Sequence, residues 1–240
     1  MFSKEIEKFI TDKNYPSFEP KAVFFDMDGV LYDSMKSHAS AWVRAMNESG
    51  LPFTEQDGYL NEGRTGASTI DGVFVQIYGR NSTEDEKQAI YSLKSNYFEA
   101  NGKTETIPYA LELLRKIQSQ NIEIYLVTGS GQTTLLQGLE DHFPGVFVKE
   151  KMVTAFDVKN GKPHPEPYLM ALKKSKLKPW EVIVVENAPL GVESATMAGL
   201  LTLAVNTGPL APEVLSDSGA SIVFSGMKEL YEKWDKIITN

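Results

Sequence analysis

The sequence predicts an α/β fold, a parallel sheet flanked by helices, into which an α-helical cap domain is inserted. Short apolar runs rich in β-branched residues, typical of buried parallel strands, alternate with longer segments of helical periodicity. After the first apolar run, however, a long stretch carries helical patterns without a buried strand. The alternation predicts the sheet, and its interruption predicts the cap.

The apolar runs are the predicted strands, and helical patterns separate most of them. Strands are predicted at 22–25, 122–127, 182–185, 201–205 and 221–224. Helices are predicted at 109–120, 133–143, 167–175 and 190–199. Because strand and helix alternate, we expect helices on both faces of the sheet.

The interruption follows the first strand, where patterns such as "HASAWVRAMNESG" and "EDEKQAIYSLKSNYFEA" are helical. A helical segment inserted between two strands of a sheet indicates a separate layer that covers one edge of it. We therefore predict a cap domain at 34–103 and a core domain made of 1–33 and 104–240.

Composition and charge exclude several classes of protein. The net charge of −8 and the pI near 5.0 argue against a nucleic-acid surface, which needs clustered Lys and Arg. The chain contains no cysteine, so a thiol nucleophile, thiolate ligands and disulfides are excluded. No apolar run approaches the roughly 20 residues of a membrane span, and the start does not resemble a signal peptide. We expect a monomeric cytoplasmic protein without membrane or nucleic-acid partners.

Polar side chains accumulate where the predicted strands end. In a parallel sheet these carboxyl ends meet at one edge, which is where ligands bind. A loop containing three prolines adds a lysine. The residues concerned are Asp26 and Asp28, Thr128 and Ser130, Lys162, and Glu186 and Asn187.

Each of these groups alone has an ordinary structural explanation, such as a solvated turn or a helix cap. Together they fit phosphoryl transfer. A carboxylate can attack phosphorus, and a second carboxyl group two residues away can move the proton. Hydroxyl groups and a lysine would hold the phosphoryl oxygens, while Mg²⁺ would offset the repulsion between nucleophile and substrate.

Four motifs occur in order between residues 21 and 226: "DMDGVLYDS", "VTGSG", "GKPHPEPY" and "VVENAPLGVESATMAG". In this set the sequence resembles the haloacid dehalogenase superfamily, in the helical-cap branch that includes β-phosphoglucomutase. The resemblance implies a Rossmann-like core, a small phosphorylated substrate and Mg²⁺. It also implies a role for each matching residue. These roles are nucleophile for Asp26, general acid/base for Asp28, phosphate donors for Thr128 and Ser130, support of the aspartyl-phosphate for Lys162, and metal ligands for Asp26, the Asp28 carbonyl, Glu186 and Asn187.

Two positions depart from the pattern of this branch. Asn187 stands where an aspartate is usual, so the metal site would lose one negative charge. In the cap loop "NEGRTGAST", Glu62 stands where the sugar phosphomutases carry a lysine, and Arg64 is displaced from their arginine position. We hypothesise that Glu62 restores the lost charge at the metal. The alternatives are a solvated cap-loop acid at position 62 and a weakened or inactive site.

This pair of departures also resembles the inorganic pyrophosphatases of the superfamily. On that resemblance Tyr91 and Lys94 would touch the leaving phosphate, although a core aromatic and a solvated lysine explain them equally well. His38 lies at a cap-hinge position and is given a supporting role.

The preferred interpretation is a Mg²⁺-dependent phosphohydrolase that forms an aspartyl-phosphate, with inorganic pyrophosphate as the substrate. The first alternative is β-phosphoglucomutase or a related sugar-phosphate phosphatase. It is disfavoured by the missing basic pair in the cap loop. The second is a phosphate-binding protein without catalysis, for which Asn187 is the only indication.

Overall fold

The computed structural model describes residues 2–239 and confirms the predicted α/β fold. Six strands form one sheet in the order β3-β2-β1-β4-β5-β6, in which all neighbouring strands are parallel. The strands are Ala22–Phe25 (β1), Glu123–Val127 (β2), Met152–Val153 (β3), Val182–Glu186 (β4), Leu201–Val205 (β5) and Ile222–Phe224 (β6).

The helices cover both faces of this sheet and fill the segment between β1 and β2. Within residues 2–239, no helix is long and apolar enough to cross a lipid bilayer. The helices are Ser3–Lys13 (α1), Met35–Glu48 (α2), Glu55–Leu60 (α3), Gly66–Tyr78 (α4), Glu84–Ala100 (α5), Ala110–Ser119 (α6), Thr133–Gln137 (α7), Leu139–His142 (α8), Glu166–Ser175 (α9), Pro189–Met197 (α10), Pro212–Asp217 (α11), Met227–Lys233 (α12) and Asp235–Ile238 (α13).

Strand β1 lies in the middle of the sheet and is buried on both faces. Val23 and Phe25 belong to the larger apolar cluster, which includes residues of α6 and α12. Ala22 and Phe24 face the other way, into a cluster that contains residues of α9 and α10. A strand that alternates between two apolar layers reads as a continuous hydrophobic run, and this is why "AVFF" predicted it. The packing on both faces therefore fixes the position of the end of β1 and of the residues that follow it.

Three elements differ from the sequence prediction. Strand β3 has only two residues, too few to produce a recognisable apolar run. The helix predicted at 133–143 consists of α7 and α8, which meet at Gly138, a residue of low helix propensity. Helix α4 begins inside the predicted cap loop, because the Thr65 side chain accepts a hydrogen bond from the Ser68 amide and caps the helix.

Helices α2 to α5 pack together between β1 and β2 and have an apolar cluster separate from those of the sheet. The division into a cap at 34–103 and a core at 1–33 and 104–240 stays a prediction, and residues 1 and 240 lie outside the described part of the chain. A separate cluster supports it, since each domain needs its own apolar core. The buried members of that cluster are Met46, Leu51, Phe53, Ile70, Val73, Phe74 and Ile90.

The two connections between the sheet and the helical segment run side by side. The Asp33 amide donates to the Glu105 carbonyl at 2.9 Å, and the Ile107 amide donates to the Leu31 carbonyl at 2.8 Å. Tyr32, between these hydrogen bonds, is fully buried. The entering and leaving chains are thus joined like two strands, and α2 starts directly beyond the junction.

Candidate active site

Asp26 is the first residue after β1, and its carboxylate is bound by a lysine from the other side of the core. The Lys162 ammonium donates to Asp26 Oδ1 at 2.5 Å and to the Val127 carbonyl at 3.0 Å. Lys162 is fully buried and Asp26 is 3% exposed. Burial raises the pKa of Asp26, although the positive charge of Lys162 acts in the opposite direction. Burial alone would lower the pKa of Lys162, but the adjacent carboxylates of Asp26 and Glu186 outweigh it and raise that pKa. Lys162 is therefore positively charged.

Glu186, at the end of β4, shares that lysine but points back into the protein. Its Oε1 accepts from Lys162 at 2.5 Å and from the Tyr168 hydroxyl at 2.7 Å. Its Oε2 accepts from the amides of Asn187 and Ala188, at 3.0 and 3.3 Å. Protein donors thus engage both oxygens. In this arrangement Glu186 positions Lys162 and the loop after β4, and its role as a metal ligand stays a prediction.

The loop after β2 presents hydroxyl and amide groups at the same edge of the sheet. The Thr128 amide donates to the Val153 carbonyl of β3, which anchors the loop to the sheet. Thr128 Oγ1 accepts from the Ser130 amide at 2.9 Å, and Ser130 Oγ accepts from the Gln132 amide at 3.3 Å. These bonds hold a tight turn whose hydroxyl groups keep their own hydrogens for a phosphoryl oxygen.

Asp28 lies two residues beyond Asp26 and is bound by side chains from the start of the helical segment. Its Oδ1 accepts from Ser34 Oγ at 2.6 Å and from His38 Nε2 at 2.9 Å. Burial alone would raise the pKa of Asp28, but His38, Ser34 and the nearby Lys94 charge outweigh it and lower the pKa to about 2. Asp28 is therefore an ionised carboxylate in this conformation.

His38 connects Asp28 to Lys94 of α5. The Lys94 ammonium donates to His38 Nδ1 at 2.8 Å, which leaves the proton of the imidazole on Nε2. His38 also stacks on Phe98, with 4.3 Å between the ring centroids. Burial and the Lys94 charge lower the pKa of His38, and burial lowers the pKa of Lys94 to about 8. The imidazole is therefore neutral.

Glu62, in the turn after α3, reaches the loop that follows β4. Its Oε1 accepts from Asn187 Nδ2 at 2.6 Å, and the two residues are 7% and 6% exposed. Burial raises the pKa of Glu62 well above its usual value; the Asn187 hydrogen bond opposes this, and Asp26 adds to it. Glu62 is consequently not a solvated cap acid, because it is buried against a residue of the sheet edge.

Arg64 and Tyr91 also come from the helical segment. Arg64 Nη1 donates to Ser68 Oγ at 3.2 Å, while its Nε is buried and has no hydrogen-bond partner within residues 2–239. Tyr91 lies one turn before Lys94 on α5, and the Lys94 ammonium is 5.6 Å from the centre of its ring. Arg64 therefore has a donor without a hydrogen-bond partner in the described residues, and the Tyr91 ring lies beside the Lys94 ammonium.

A cavity of about 50 Å³ lies between these groups, room for a few water molecules. Lys162, Glu186 and Asn187 are outside its lining. Lys162 contacts Asp26 and Asn187 contacts Glu62, both of which line the cavity, whereas Glu186 is linked to it through Lys162. The lining brings together the other predicted residues, namely Asp26, Asp28, His38, Glu62, Arg64, Tyr91, Lys94, Thr128 and Ser130.

A family model for haloacid dehalogenase-like hydrolases matches residues 23–205, which contain both the sheet edge and the helical segment. The chain belongs to this family. The resemblance predicted from the four motifs is thereby confirmed.

Relatives within the haloacid dehalogenase-like family are similar over most of this chain. A phosphorylated carbohydrates phosphatase from Thermotoga maritima is 32% identical over 188 residues, 75% of this chain and 82% of the relative. Hexitol phosphatase A from Escherichia coli is 30% identical over 194 residues, 81% of this chain and 87% of the relative. A pyrophosphatase from Oceanobacillus iheyensis is 24% identical over 185 residues, 77% of this chain and 83% of the relative.

Among solved structures, a Bacteroides vulgatus protein provisionally named a β-phosphoglucomutase is 48% identical, with a TM-score of 0.96. The match covers 100% of this chain and 97% of that protein. The similarity therefore extends through the sheet, the helical segment and their connections.

The residues present at the site fit the Mg²⁺ that this family implies. Asn187 Oδ1 is buried without a hydrogen-bond partner in the described part of the chain, and an amide oxygen is a suitable ligand for a hard cation. Four acidic side chains are also buried at the site, and Lys162 binds only two of them. Within residues 2–239 no group of three or more His, Cys, Asp or Glu side chains forms a metal cluster. The four acidic side chains are Asp26, Asp28, Glu62 and Glu186.

The sequence prediction missed three residues that contact the site. Ser34 binds Asp28, Tyr168 binds Glu186, and the Lys94 ammonium lies 3.5 Å from Gln132 Oε1. Ser34 and Tyr168 fall inside the quoted motifs "DMDGVLYDS" and "GKPHPEPY", so their position in those motifs was an available signal. Nothing in the sequence around Gln132 distinguishes it from an ordinary residue that opens a helix.

Proposed function

We propose that this chain is a Mg²⁺-dependent phosphohydrolase that acts through an aspartyl-phosphate on Asp26, with inorganic pyrophosphate as its preferred substrate. The contact between Glu62 and Asn187 supports this choice of substrate: a buried acid reaches the sheet edge from the loop in which, by resemblance, the sugar phosphomutases carry a lysine. A small anion with two phosphoryl groups also suits a cavity of about 50 Å³. A monomeric state stays a prediction.

In the proposed first step a carboxylate oxygen of Asp26 bonds to phosphorus, and the bond from phosphorus to the leaving oxygen breaks. Lys162 occupies Asp26 Oδ1, so it orients the carboxylate and leaves the second oxygen for attack. In the second step water attacks the aspartyl-phosphate and gives its proton to Asp28, which is ionised and ready to act as a base. Asp28 then passes this proton to the departing phosphate or to solvent, so that phosphate leaves and both carboxylates are restored.

The metal would be held by the Asp26 carboxylate, the Asp28 backbone carbonyl and Asn187 Oδ1, with Glu62 completing the charge from the cap side. When bound, Mg²⁺ supplies positive charge that reduces the repulsion between the nucleophile and the phosphoryl oxygens. The protein then needs donors for the rest of the substrate. Arg64 Nε and the Lys94 ammonium line the cavity and can bind the second phosphoryl group.

The first experiment is phosphate release from pyrophosphate and from a panel of sugar and polyol phosphates, each with Mg²⁺ and with a chelator. We expect pyrophosphate to be the best substrate and all turnover to stop with the chelator. Interconversion of glucose phosphates with a bisphosphate activator would contradict the proposal in favour of a mutase. No turnover of any compound would support a phosphate-binding protein.

A charge exchange tests the role of Glu62. In Glu62→Gln we expect kcat/KM for pyrophosphate to fall about 10- to 100-fold and the Mg²⁺ requirement to rise, since one anionic contact is lost. Adding Asn187→Asp to this variant returns a carboxylate to the same place and should lower the Mg²⁺ requirement again. Glu55→Gln, an exposed acid of α3, is the matched control. Unchanged kinetics in Glu62→Gln would refute the role of Glu62.

Hydrolysis of a small sugar or polyol phosphate is the second candidate. It is favoured by the relatives at 32% and 30% identity, which act on phosphorylated carbohydrates and hexitol phosphates according to their names. For this substrate Asp28 enters the first step protonated and donates that proton to the leaving oxygen, so that an alcohol departs; it then takes a proton from the attacking water in the second step. The substrate panel described above separates the two candidates directly.

A further inference from the structure

The turn between α3 and α4, residues 62–65, lies against three loops at the carboxyl edge of the sheet, and each loop meets it with a glycine. Gly29 follows β1, Gly129 follows β2 and Gly161 precedes α9. A methyl group added at any of the three would lie 3.0 Å or less from an atom of this turn. The 62–65 turn is therefore packed on the sheet edge more closely than side chains at these positions would permit.

Gly129 makes the closest of these contacts, and it makes it to backbone. A methyl group on Gly129 would lie 2.0 Å from the Gly63 carbonyl oxygen, 2.8 Å from the carbonyl carbon of Gly63 and 3.2 Å from that of Arg64. A backbone carbonyl cannot rotate aside as the end of a flexible side chain can. The missing side chain at position 129 therefore sets the distance between the turn and the loop after β2.

Gly129 is also the position at which an alanine would disturb this contact with the least effect on the sheet side. Gly29 has a φ of 74°, in the left-handed region, so a side chain there would strain the loop that carries Asp26. Gly161 directly precedes Lys162, which binds Asp26. The φ of Gly129 lies outside the left-handed region, and the three atoms nearest to an added methyl group all belong to the turn.

The position of the turn decides whether Glu62 reaches the loop after β4, because Glu62 directly precedes Gly63. To bring a methyl group on Gly129 from 2.0 Å to an ordinary contact of 3.4 Å, the turn must retreat by about 1.4 Å. The hydrogen bond from Asn187 Nδ2 to Glu62 Oε1 is 2.6 Å long, and such bonds end at about 3.2 Å. The retreat is larger than this bond can absorb.

We propose that Gly129 is a positioning residue, which lets the 62–65 turn seat on the sheet edge and thereby brings the Glu62 carboxylate to the metal site. With a side chain at position 129, an acid at position 62 stays too far from Asn187 to complete the charge there. The inference rests on the proposed function, in which Glu62 supplies that charge. It adds the residue on the sheet side that makes the supply possible.

The first measurement tests the seat itself, by amide hydrogen exchange in peptides that cover residues 60–68. In Gly129→Ala we expect exchange at 62–65 to become about tenfold faster or more, because the displaced turn is open to water. Gly208→Ala is the matched control, since a methyl group there meets no atom within 4 Å, and it should exchange like wild type. Unchanged exchange in Gly129→Ala would overturn the proposal. A Gly129→Ala protein that does not fold would also overturn it, because the conflict would then lie within the sheet side.

The second measurement tests the link to Glu62, by calorimetric titration of Mg²⁺ without substrate into wild type, Glu62→Gln, Gly129→Ala and the double variant. We expect each single change to raise the Kd for Mg²⁺ about tenfold. The double variant should bind no more weakly than the weaker single variant, because both changes remove the same contact. The Gly208→Ala control should keep the wild-type Kd.

Two results of this titration would contradict the role of Gly129. One is a wild-type Kd in Gly129→Ala, and the other is a loss of about a hundredfold in the double variant, which would show that the two residues act independently. If wild type binds no Mg²⁺, the proposed function fails by itself. The exchange measurement, which needs neither metal nor substrate, then decides whether Gly129 seats the turn.

Discussion

Two buried lysines reach this site from opposite sides, and their surroundings differ. Lys162, from the sheet side, is fully buried between the carboxylates of Asp26 and Glu186, which raise its pKa. Lys94, from the helical segment, is 2% exposed and donates to a neutral imidazole, so burial lowers its pKa to about 8. One lysine is held as a permanent countercharge, while the other gains or loses its proton near physiological pH.

The difference shows how the two halves of the site divide their tasks. On the sheet side the charged groups already have protein partners: Lys162 makes its hydrogen bonds within the protein, and both oxygens of Glu186 accept from protein donors. On the side formed by helices α2 to α5, two donors lack an anionic partner: the Nε of Arg64 has no hydrogen-bond partner in the described residues, and Lys94 donates to a neutral imidazole. The sheet side holds Asp26, the proposed nucleophile, in place, while the donors without an anionic partner on the other side are the ones we propose to bind the substrate.

The largest effect is expected when the sheet side loses Asp26, the proposed nucleophile. Asp26→Asn keeps the shape of the side chain but removes the attacking carboxylate, so kcat should fall by at least about 10⁴-fold. Phosphate release is the measurement, and the melting temperature should show a folded protein. Asp33→Asn, the same change at an exposed position, is the control. Residual activity of more than a few per cent would mean that another residue attacks phosphorus.

Exchanging each lysine for methionine compares the two halves directly. Lys162→Met leaves the carboxylates of Asp26 and Glu186 buried without their cation, and should lower the free energy of unfolding by about 3–5 kcal/mol. Lys94→Met leaves the neutral acceptors of His38 and Gln132 without this donor and removes a charge near Asp28, so its cost should be smaller, about 1–3 kcal/mol. Urea denaturation measures both values. Equal losses would remove the distinction between a structural and a substrate-directed lysine.

The smallest effect is a dependence of KM on pH. Lys94 is a cation below its pKa of about 8 and neutral above it, so KM for the phosphorylated substrate should rise as pH increases through 8. The expected rise is about tenfold, typical of one charged hydrogen bond. The titratable groups around Lys94 are His38, Asp28 and Tyr91. Lys94→Arg, which stays charged, should lack this rise; if it retains the wild-type profile, another group is responsible.

The sequence was sufficient for most of the sheet and for one half of the site. The run "AVFF" predicted β1 because burial on both faces leaves a continuous apolar pattern, and Asp26 had to follow where that pattern stops. The short strand β3 was not predicted, because two residues are too few to show a recognisable apolar pattern. Residues at strand ends are brought together by the parallel topology itself, so their proximity could be predicted without knowing any side-chain contact.

The contacts that Glu62 and Lys94 of the inserted helical segment make at the site could not be predicted in the same way. Glu62 and Asn187 are 125 positions apart, and local sequence does not tell whether the segment between the strands closes over the sheet edge. A solvated acid and a buried one look identical in "NEGRTGAST". The burial of Lys94 was equally hidden, since it depends on the packing of α5 against α2. Contacts between separate layers are decided by tertiary packing, for which one sequence contains little local signal.

The paired connections beside Tyr32 have a consequence for how such a protein can diversify. Asp33 and Glu105 are already hydrogen-bonded neighbours, so everything between them leaves the sheet and returns to it at one point. A loop of any length can be attached at such a junction without moving the strand that carries the nucleophile. Lengthening or exchanging the inserted helices therefore changes the residues that cover Asp26 but leaves the position of Asp26 itself unchanged. Such a change can alter which substrates fit without altering the proposed catalytic step.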